Sequence, residues 1–587
     1  MTNDSEDDKK PNMKFSELAG YFKRLDKTAS RNEMTEILAD LFRHVQKDEI
    51  GKICYLLLGR VVPLYEAVEF GVADKFMIRA IALAYDTDQD HVVSAFKKTG
   101  DLGMAAEICA LQKKRKHSDI EVSKVYDALF SVANEGGQGS QEKKIGLLAG
   151  LLSSMDALSA RYLARIPLDK LRLGFSDMTM LDSLSWMVAG DKSLRPVLET
   201  TYNVRPDIGY LAQTVKSDGV KGLSHIHAKV GAPILASLCA RLPNADEMIK
   251  KMGEVAVEPK YDGVRVQIHF RRGKFVASYS RNLENTTAMF PELEQIGAEL
   301  NGDEVILDSE AIGYDKQHDK LISFQETMTR KRKHGIAQAS QTMPLKFYVF
   351  DILYKDGKEL LSIPLRERRK ILEATLKQKE NRCLMLSPEI ITRDANEIRR
   401  YHNEQLKKGL EGAVVKKWDS IYEPGRTGYH WVKFKEEEGK TGKLTDTIDA
   451  VIMGYSRGEG KRSGFGIGMF LVGVRKGDSF VTVTKIGTGV SDELWKDLHQ
   501  KLHTIKVSVK PKEYGEVNKL FIPDVWVAPR IVVEIAGDDL TKSSTHGAGV
   551  AVRFPRLVRI RIDKSPQQAT TVSEIEGMFN RQKQSPL

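Results

Sequence analysis

Cysteine is scarce in this chain, and the places where it occurs exclude one group of sites. The 587 residues contain four cysteines, at positions 54, 109, 239 and 383, and no two of them form a C-x-x-C pair. Such scattered cysteines cannot build a zinc cluster or a disulfide framework, and they suit a reducing compartment.

Long hydrophobic runs and a secretory leader are also lacking. No apolar stretch approaches the ~18–20 residues that cross a bilayer, and polar and acidic residues dominate the first ten positions. We therefore expect no membrane association, no signal peptide and a short disordered tail over residues 1–12.

Acidic residues are fewer than basic ones. The chain has 90 Lys and Arg against 80 Asp and Glu, which gives a net charge of +10 and an isoelectric point near 9.0. This excess is typical of proteins that meet polyanions, but a generically solvated surface explains it as well. The length is enough for three or four globular domains.

The hydrophobic pattern changes twice along the chain. Residues 13–220 have apolar positions at helical spacing, residues 221–438 alternate short strands with helices, and residues 439–587 contain strands separated by glycine-rich turns. The charged stretch 436–442 is the expected linker. The pattern predicts a multidomain protein with an all-α domain, an α+β domain and a small β-barrel domain.

One short segment carries a candidate nucleophile. In the stretch 258–265, of sequence EPKYDGVR, Lys260 stands two residues before an Asp-Gly turn, and a strand with alternating apolar residues follows. Lys260 is therefore expected at the mouth of a sheet. A lysine amine attacks phosphorus only when it is neutral, which requires burial or neighbouring cations. A four-residue match of this kind arises often by chance.

Five downstream segments supply the other groups that a nucleotide site needs. They are 308–312, 346–353, 411–416, 431–435 and 553–564. In that order they offer a strand-end carboxylate, an aromatic ring on a strand, a glutamate at a glycine turn with a lysine at a strand end, two lysines on one strand face, and five basic residues with one acid. A triphosphate is densely charged, and its transfer depends on cations and in-line geometry. All six segments together by chance are very improbable.

These segments, in this order, resemble the nucleotidyl-lysine motifs of ATP-dependent DNA ligases and mRNA capping enzymes. The run 559–571 is similar to the replicative, archaeal and eukaryotic type of DNA ligase, although Ile562 stands where many members carry a charge. Segments 100–103, 136–144 and 171–179 resemble that family's helical DNA-binding domain.

Three other classes of protein fit the sequence less well. Capping and RNA-ligating enzymes lack this helical domain. An NAD-dependent ligase would need the cysteine zinc site that is missing here. A non-catalytic nucleic-acid clamp would have lost motif residues, and none is lost in this chain.

The resemblance implies a helical DNA-binding domain at 13–220, a nucleotidyltransferase (adenylation) domain at 221–438 and an OB-fold domain at 439–587. It implies nick sealing in duplex DNA during replication, repair and recombination, with ATP as co-substrate and Mg²⁺ as cofactor. An archaeal-type, cytoplasmic, nucleoid-associated monomer is expected. The choice among ATP, ADP, GTP and NAD stays open. A sliding-clamp partner stays open too, because the sequence has no convincing clamp-binding motif.

The resemblance also assigns roles to residues. Lys260 is the expected nucleophile that receives AMP, Phe350 is expected to stack on adenine, and Glu310 and Glu411 are expected to bind the ribose or the metal ion. The expected nucleotide-binding residues are Glu258, Arg265, Arg281, Glu310, Phe350, Arg426, Lys433, Lys435, Arg561 and Lys564.

Basic side chains are expected to contact the phosphates. Lys433 and Lys435 would neutralise the α-phosphate, and Arg561 and Lys564 would face the pyrophosphate during the first transfer step. Arg426 matches the family's basic residue in its loop only with a shift of one position.

Overall fold

The computed structural model divides the chain into two compact units, Met1–Phe434 and Lys435–Leu587. The described residues are 11–28, 30–113, 117–171, 173–294, 296–297, 300–315, 320–322, 327, 344–376, 383–425, 428–434, 446–458, 460–488 and 490–584. The expected tail residues 1–10, the linker 436–442 and the boundary at 438 lie outside this set. The expected boundary at 220 stays a prediction.

Helices fill the first part of the first unit, as the apolar periodicity predicted. They are α1 (Phe15–Asp26), α2 (Arg31–His44), α3 (Ile50–Leu57), α4 (Asp74–Tyr85), α5 (Gln89–Thr99), α6 (Leu102–Lys113), α7 (Val122–Asn134), α8 (Ser140–Ser153), α9 (Ala157–Arg165), α10 (Asp177–Ala189), α11 (Arg195–Val204) and α12 (Ile208–Asp218). Their apolar faces meet in one core that includes Phe22, Leu38, Ile81 and Leu148. Within the described ranges, no helix is long and apolar enough to span a membrane.

In the part of the chain that the structure describes, the rest of the first unit contains strands and α-helices. The strands are β1 (Val255–Pro259), β2 (Val264–Arg271), β3 (Lys274–Ser280), β4 (Glu304–Asp315), β5 (Lys320–Leu321), β6 (Leu345–Lys355), β7 (Lys358–Glu359), β8 (Leu384–Leu386), β9 (Ile390–Thr392), β10 (Ala413–Lys417) and β11 (Trp431–Phe434). The helices are α13 (Ala245–Met252), α14 (Leu365–Thr375) and α15 (Ala395–Lys407).

These strands form two sheets. One has the order β11-β10-β1-β9, and the other has the order β3-β2-β4-β6-β7, with β5 beside β4 and β8 parallel to β6. The apolar residues of β2, including Val266, Ile268 and Phe270, face a core with β4 and β6. The prediction that segment 308–312 ends its strand is wrong. The strand β4 continues to Asp315, because its pairing with β6 extends beyond this segment to Gly313.

The second unit is rich in β-strands, as predicted. Its elements are β12 (Ile448–Ser456), β13 (Met469–Lys476), β14 (Ser479–Ile486), α16 (Asp492–Thr504), β15 (Lys506–Val507), β16 (Val525–Val527), β17 (Val532–Ala536), β18 (Asp539–Lys542), β19 (Val550–Arg553), β20 (Arg556–Ile560) and α17 (Val572–Gln584). The main sheet runs β14-β13-β12-β16-β15, and β17 joins β12 to β20.

Strand pairing in this unit supports the expected barrel in part. β18 and β19 form a separate hairpin. Just before β19, the backbone N–H of Ala548 donates to the carbonyl oxygen of Thr482 on β14, at 3.0 Å. The strands and α16 enclose a core that contains Ile452, Phe470 and Trp495.

Candidate active site

Lys260 lies in the short connection between β1 and β2, which belong to different sheets. The backbone N–H of Lys260 donates to the carbonyl of Gly412 at 2.8 Å, and the N–H of Glu411 donates to the carbonyl of Lys260 at 3.0 Å. Its side chain is 22% exposed, and Nζ contacts Oε2 of Glu411. Backbone pairing between β1 and β10 thus brings the candidate nucleophile and a carboxylate to one point.

Glycine is required at the turn that presents Glu411. Gly412 has a φ of +113°, which residues with a side chain rarely adopt. A Cβ there would meet the ring of His402 at 2.3 Å. The close approach of α15 therefore fixes the turn, and with it the position of the Glu411 carboxylate.

Arg265 is held in a buried, bidentate ion pair. Its Nε and Nη2 donate to the two carboxylate oxygens of Asp308 at 3.0 and 2.6 Å, and its Nη1 donates to the carbonyl of Ser237 at 2.6 Å. The hydroxyl of Tyr422 donates to Asp308 at 3.0 Å. Burial disfavours the guanidinium cation, but the Asp308 carboxylate outweighs it and raises the pKa of Arg265. The sequence singled out the segment of Asp308 but not this pairing.

Glu310 stands directly opposite Arg265 across the β2–β4 pair. Burial raises the pKa of Glu310 to about 8, although the nearby cations of Arg265 and Lys260 oppose that rise. Glu411 adds to the negative charge around it. Glu411 contacts Lys260, and the charges of both act on Glu310, so the two carboxyls belong to one charged neighbourhood around Lys260.

This carboxylate pair fits Mg²⁺. The ion prefers oxygen ligands and is usually held by one or two carboxylates together with substrate phosphates and water. Among the residues the structure describes, no cluster of three or more His, Cys, Asp and Glu side chains could hold an ion without such help. Glu310 and Glu411 would thus bind the ion only in company with the phosphates.

Glu258 forms a second buried ion pair. Nζ of Lys416 donates to Oε1 of Glu258 at 2.7 Å, and both side chains are at most 3% exposed. The ammonium also lies 4.5 Å from the ring centre of Phe350 and 4.3 Å from that of Trp431. Burial raises the pKa of Glu258, and Lys416 opposes the rise. Glu258 and Phe350, two of the expected nucleotide-binding residues, therefore share one low-dielectric cluster.

The sequence analysis noted Lys416 only as a lysine at a strand end and gave it no role in the site. The signal was present, because a lysine in an apolar strand must find a partner. Register explains which partner it finds: Lys416 pairs with Ala256, and Glu258 is two residues farther along the same face of β1. The small side chain of Ala256 sits opposite the lysine.

The other expected residues are placed as follows. Arg281 directly follows β3 and lines a small cavity together with Arg265. Lys433 lies on β11, where it pairs with Val414 of β10. Arg561 and Lys564 belong to the second unit. Arg426 and Lys435 lie outside the described residues.

Near Glu258 lies a further buried carboxyl, that of Glu389. Nε of Arg369 is 3.2 Å from its Oε1, and the Arg369 guanidinium also donates to the carbonyl of Ser387 at 2.7 Å. Burial, and then the negative charge of Glu258, raise the pKa of Glu389 from its ordinary 4.5 to about 7, against the attraction of Arg369.

We expect the stability of the protein to depend on pH through Glu389. Below pH 4.5 the carboxyl is protonated in both states; between 4.5 and 7 only the folded state keeps the proton, so stability falls as pH rises through this window. Glu389→Gln removes the loss, which amounts to about 3 kcal/mol at most. We therefore expect the melting temperature of the variant minus that of the wild type to be larger at pH 8 than at pH 5.

Glu373→Gln is the matched control. Glu373 contacts the same arginine at 3.2 Å, but its side chain is 52% exposed. Its melting difference from wild type should be equal at both pH values. An equal difference for Glu389→Gln as well would contradict the prediction.

Three family models match the chain, one in each predicted region. They are "DNA ligase N terminus" over residues 14–185, "ATP dependent DNA ligase domain" over 233–435, and "ATP dependent DNA ligase C terminal region" over 463–564.

Relatives match over nearly the whole chain. The "Probable DNA ligase" of Dictyoglomus thermophilum is 43% identical, with 98% of this chain and 99% of the relative covered. "DNA ligase 2" of Thermofilum pendens is 36% identical, with 98% of each covered. The "DNA ligase" of Saccharolobus solfataricus is 36% identical, with 97% and 98% covered.

A solved structure supports the fold. The structure named Pmar-Lig_PreS3 aligns with a TM-score of 0.54 at 17% identity, covering 92% of this chain and 99% of its own. Together with the relatives, the fold defines a multidomain nucleotidyltransferase. The chain belongs to the ATP-dependent DNA ligase family.

Proposed function

We propose that this protein seals single-strand nicks in duplex DNA, with Lys260 carrying AMP between ATP and the nick. Nick sealing is the function of the family to which the chain belongs. The observation that carries the residue assignment is the contact of Lys260 Nζ with Glu411, next to the carboxyl of Glu310.

In the first step, Nζ of Lys260 attacks the α-phosphorus of ATP. The N–P bond forms while the bond to the pyrophosphate oxygen breaks, and pyrophosphate leaves. The amine must first lose a proton, and the Glu411 carboxylate in contact with it is placed to hold that proton. Lys433 supplies positive charge on the neighbouring strand β11.

Two further transfers complete the reaction. An oxygen of the 5′-phosphate at the nick attacks the AMP phosphorus, and the P–N bond to Lys260 breaks. The 3′-hydroxyl then attacks the 5′-phosphorus, forms the phosphodiester and releases AMP. Arg265 cannot move freely during these steps, because Asp308 and Ser237 hold three of its nitrogen atoms.

Mg²⁺, when bound, would offset phosphate charge during transfer. Glu310 and Glu411 are the residues that would hold it. We further propose that Phe350 and Glu258 lie on the side of the base, and that Arg281 lies near the 5′-phosphate of the nick. A monomeric state and an archaeal-type, nucleoid-associated location stay predictions, and a sliding-clamp partner stays open.

A two-stage labelling experiment tests this function. The protein is incubated with ATP, GTP or NAD. Each nucleotide is labelled at the phosphate attached to its adenosine or guanosine. One portion of the protein is then denatured and examined for covalent label. We expect label from ATP alone. Unlabelled nicked duplex DNA is added to a second portion of the ATP-treated protein that is not denatured, which should remove the label from the protein and produce a sealed strand. Label that stays on the protein, or no label at all, would refute the proposal.

A further inference from the structure

Two basic side chains of the second unit share one carboxylate. Nη1 of Arg561 donates to Oδ1 and Oδ2 of Asp449 at 2.9 and 3.2 Å, and Nζ of Lys564 donates to the same Oδ2 at 2.5 Å. The side chains of Arg561 and Asp449 are both 13% exposed. Asp449 on β12 thus brings together two cations from the C-terminal segment, and Oε2 of Glu534 lies 3.6 Å from the same Nη1 of Arg561.

Asp449 is itself firmly anchored. Its backbone N–H donates to the hydroxyl of Thr570 at 3.0 Å, and the N–H of Thr570 donates to its carbonyl at 2.8 Å. It also pairs across strands with Glu534. The carboxylate therefore projects from a fixed point in the sheet.

A second carboxylate fixes the opposite edge of the guanidinium. Nε and Nη2 of Arg561 donate to the two oxygens of Asp563 at 2.9 and 2.7 Å. Lys564 has three N–H donors, and the described contacts use one of them. The lysine is 31% exposed, so its other donors can reach an anion.

We propose that Asp449 is a positioning residue, which holds Arg561 and Lys564 side by side so that both can bind the departing pyrophosphate. The proposal rests on the proposed function and on the expectation, drawn from the family resemblance, that these two cations face pyrophosphate during the first transfer. Two cations that contact the same carboxylate lie close enough to repel each other, and the Asp449 carboxylate between them offsets that repulsion. Positioning groups of this kind set the geometry of the groups that touch the substrate.

The consequence is specific to one step. Formation of lysyl-AMP from ATP requires the pyrophosphate contact, whereas a nick that already carries a 5′-adenylate needs no pyrophosphate contact to be sealed. Loss of Asp449 should therefore slow the first reaction and leave the second unchanged.

Asp449→Asn tests this proposal in the full-length protein. We expect the rate of lysyl-AMP formation at low ATP to fall about 10-fold or more, mainly through a higher KM for ATP, since charge-assisted hydrogen bonds are lost. Sealing of a pre-adenylated nick should stay within about 2-fold of wild type. Asp449→Glu keeps the charge and should recover most of the loss.

Asp538→Asn serves as the matched control. It breaks the ion pair of Asp538 with Arg556 on the same sheet, at 2.9 Å, where the arginine side chain is 49% exposed. Neither reaction should change in this variant. Unchanged lysyl-AMP formation in Asp449→Asn would overturn the proposal, and so would equal slowing of both reactions with a lowered melting temperature. Failure of the wild type to form lysyl-AMP would instead refute the proposed function.

Discussion

Lys260→Ala is expected to abolish formation of the covalent enzyme–AMP, by at least about 1,000-fold. The N–P bond of the intermediate requires the Nζ atom, and the structure gives this lysine a defined carboxylate partner in Glu411. Labelled ATP followed by denaturing electrophoresis measures the adduct directly. Retention of label on the variant would refute the assignment.

Two further measurements separate lost chemistry from lost structure. Lys250→Ala removes a lysine that is 77% exposed in the same unit, and it should form enzyme–AMP at the wild-type rate. Lys260→Ala should still seal a nick whose 5′ end already carries AMP, because that reaction does not form the lysine bond. Loss of this sealing together with loss of fold would point to a structural role for Lys260.

Arg368→Met is expected to cause the largest loss of stability in the first unit. Nε and Nη2 of Arg368 donate to Asp351 at 2.8 and 2.9 Å, and both side chains are 0% exposed. Removing the arginine strands a buried carboxylate, which costs about 3–5 kcal/mol. Asp351 follows Phe350 on β6, so the site would be disturbed as well. Thermal unfolding measures the loss.

The control is an exposed ion pair made by Arg366, which lies on the same helix as Arg368. Arg366 lies 3.4 Å from Asp419, with the two side chains 50% and 60% exposed. Arg366→Met should change stability by less than about 1 kcal/mol. The double variant Arg368→Met with Asp351→Leu should recover most of the stability, since a buried ion pair can be replaced by apolar side chains. If the double variant lost as much stability as Arg368→Met alone, this result would contradict the prediction.

Local sequence was enough to predict the helical region and several of the strands. The segment 346–353, which was expected to carry an aromatic ring on a strand, lies within β6, which runs from Leu345 to Lys355. Lys433 alternates with the buried Val432 and Phe434, as predicted. Such patterns are local, because each depends on neighbours along a single strand or helix.

Contacts between distant strands could not be predicted in this way. The pattern of β2 places Gln267 and His269 on the face opposite the apolar core, yet both are buried, because the loop around Ile234 covers them. Burial of that face depends on a segment more than thirty positions away, as the 33-residue separation of Gln267 and Ile234 shows. Alternation alone cannot reveal such a cover.

The sequence by itself determined the family, the order of the motifs and the candidate nucleophile, because each motif is a short run with its own chemistry. Only the tertiary structure decided which groups meet. Lys260 and Glu411 are 151 residues apart, and Arg265 and Asp308 are 43 apart. These pairs form because strand register places them side by side, and register depends on how the strands pack against one another.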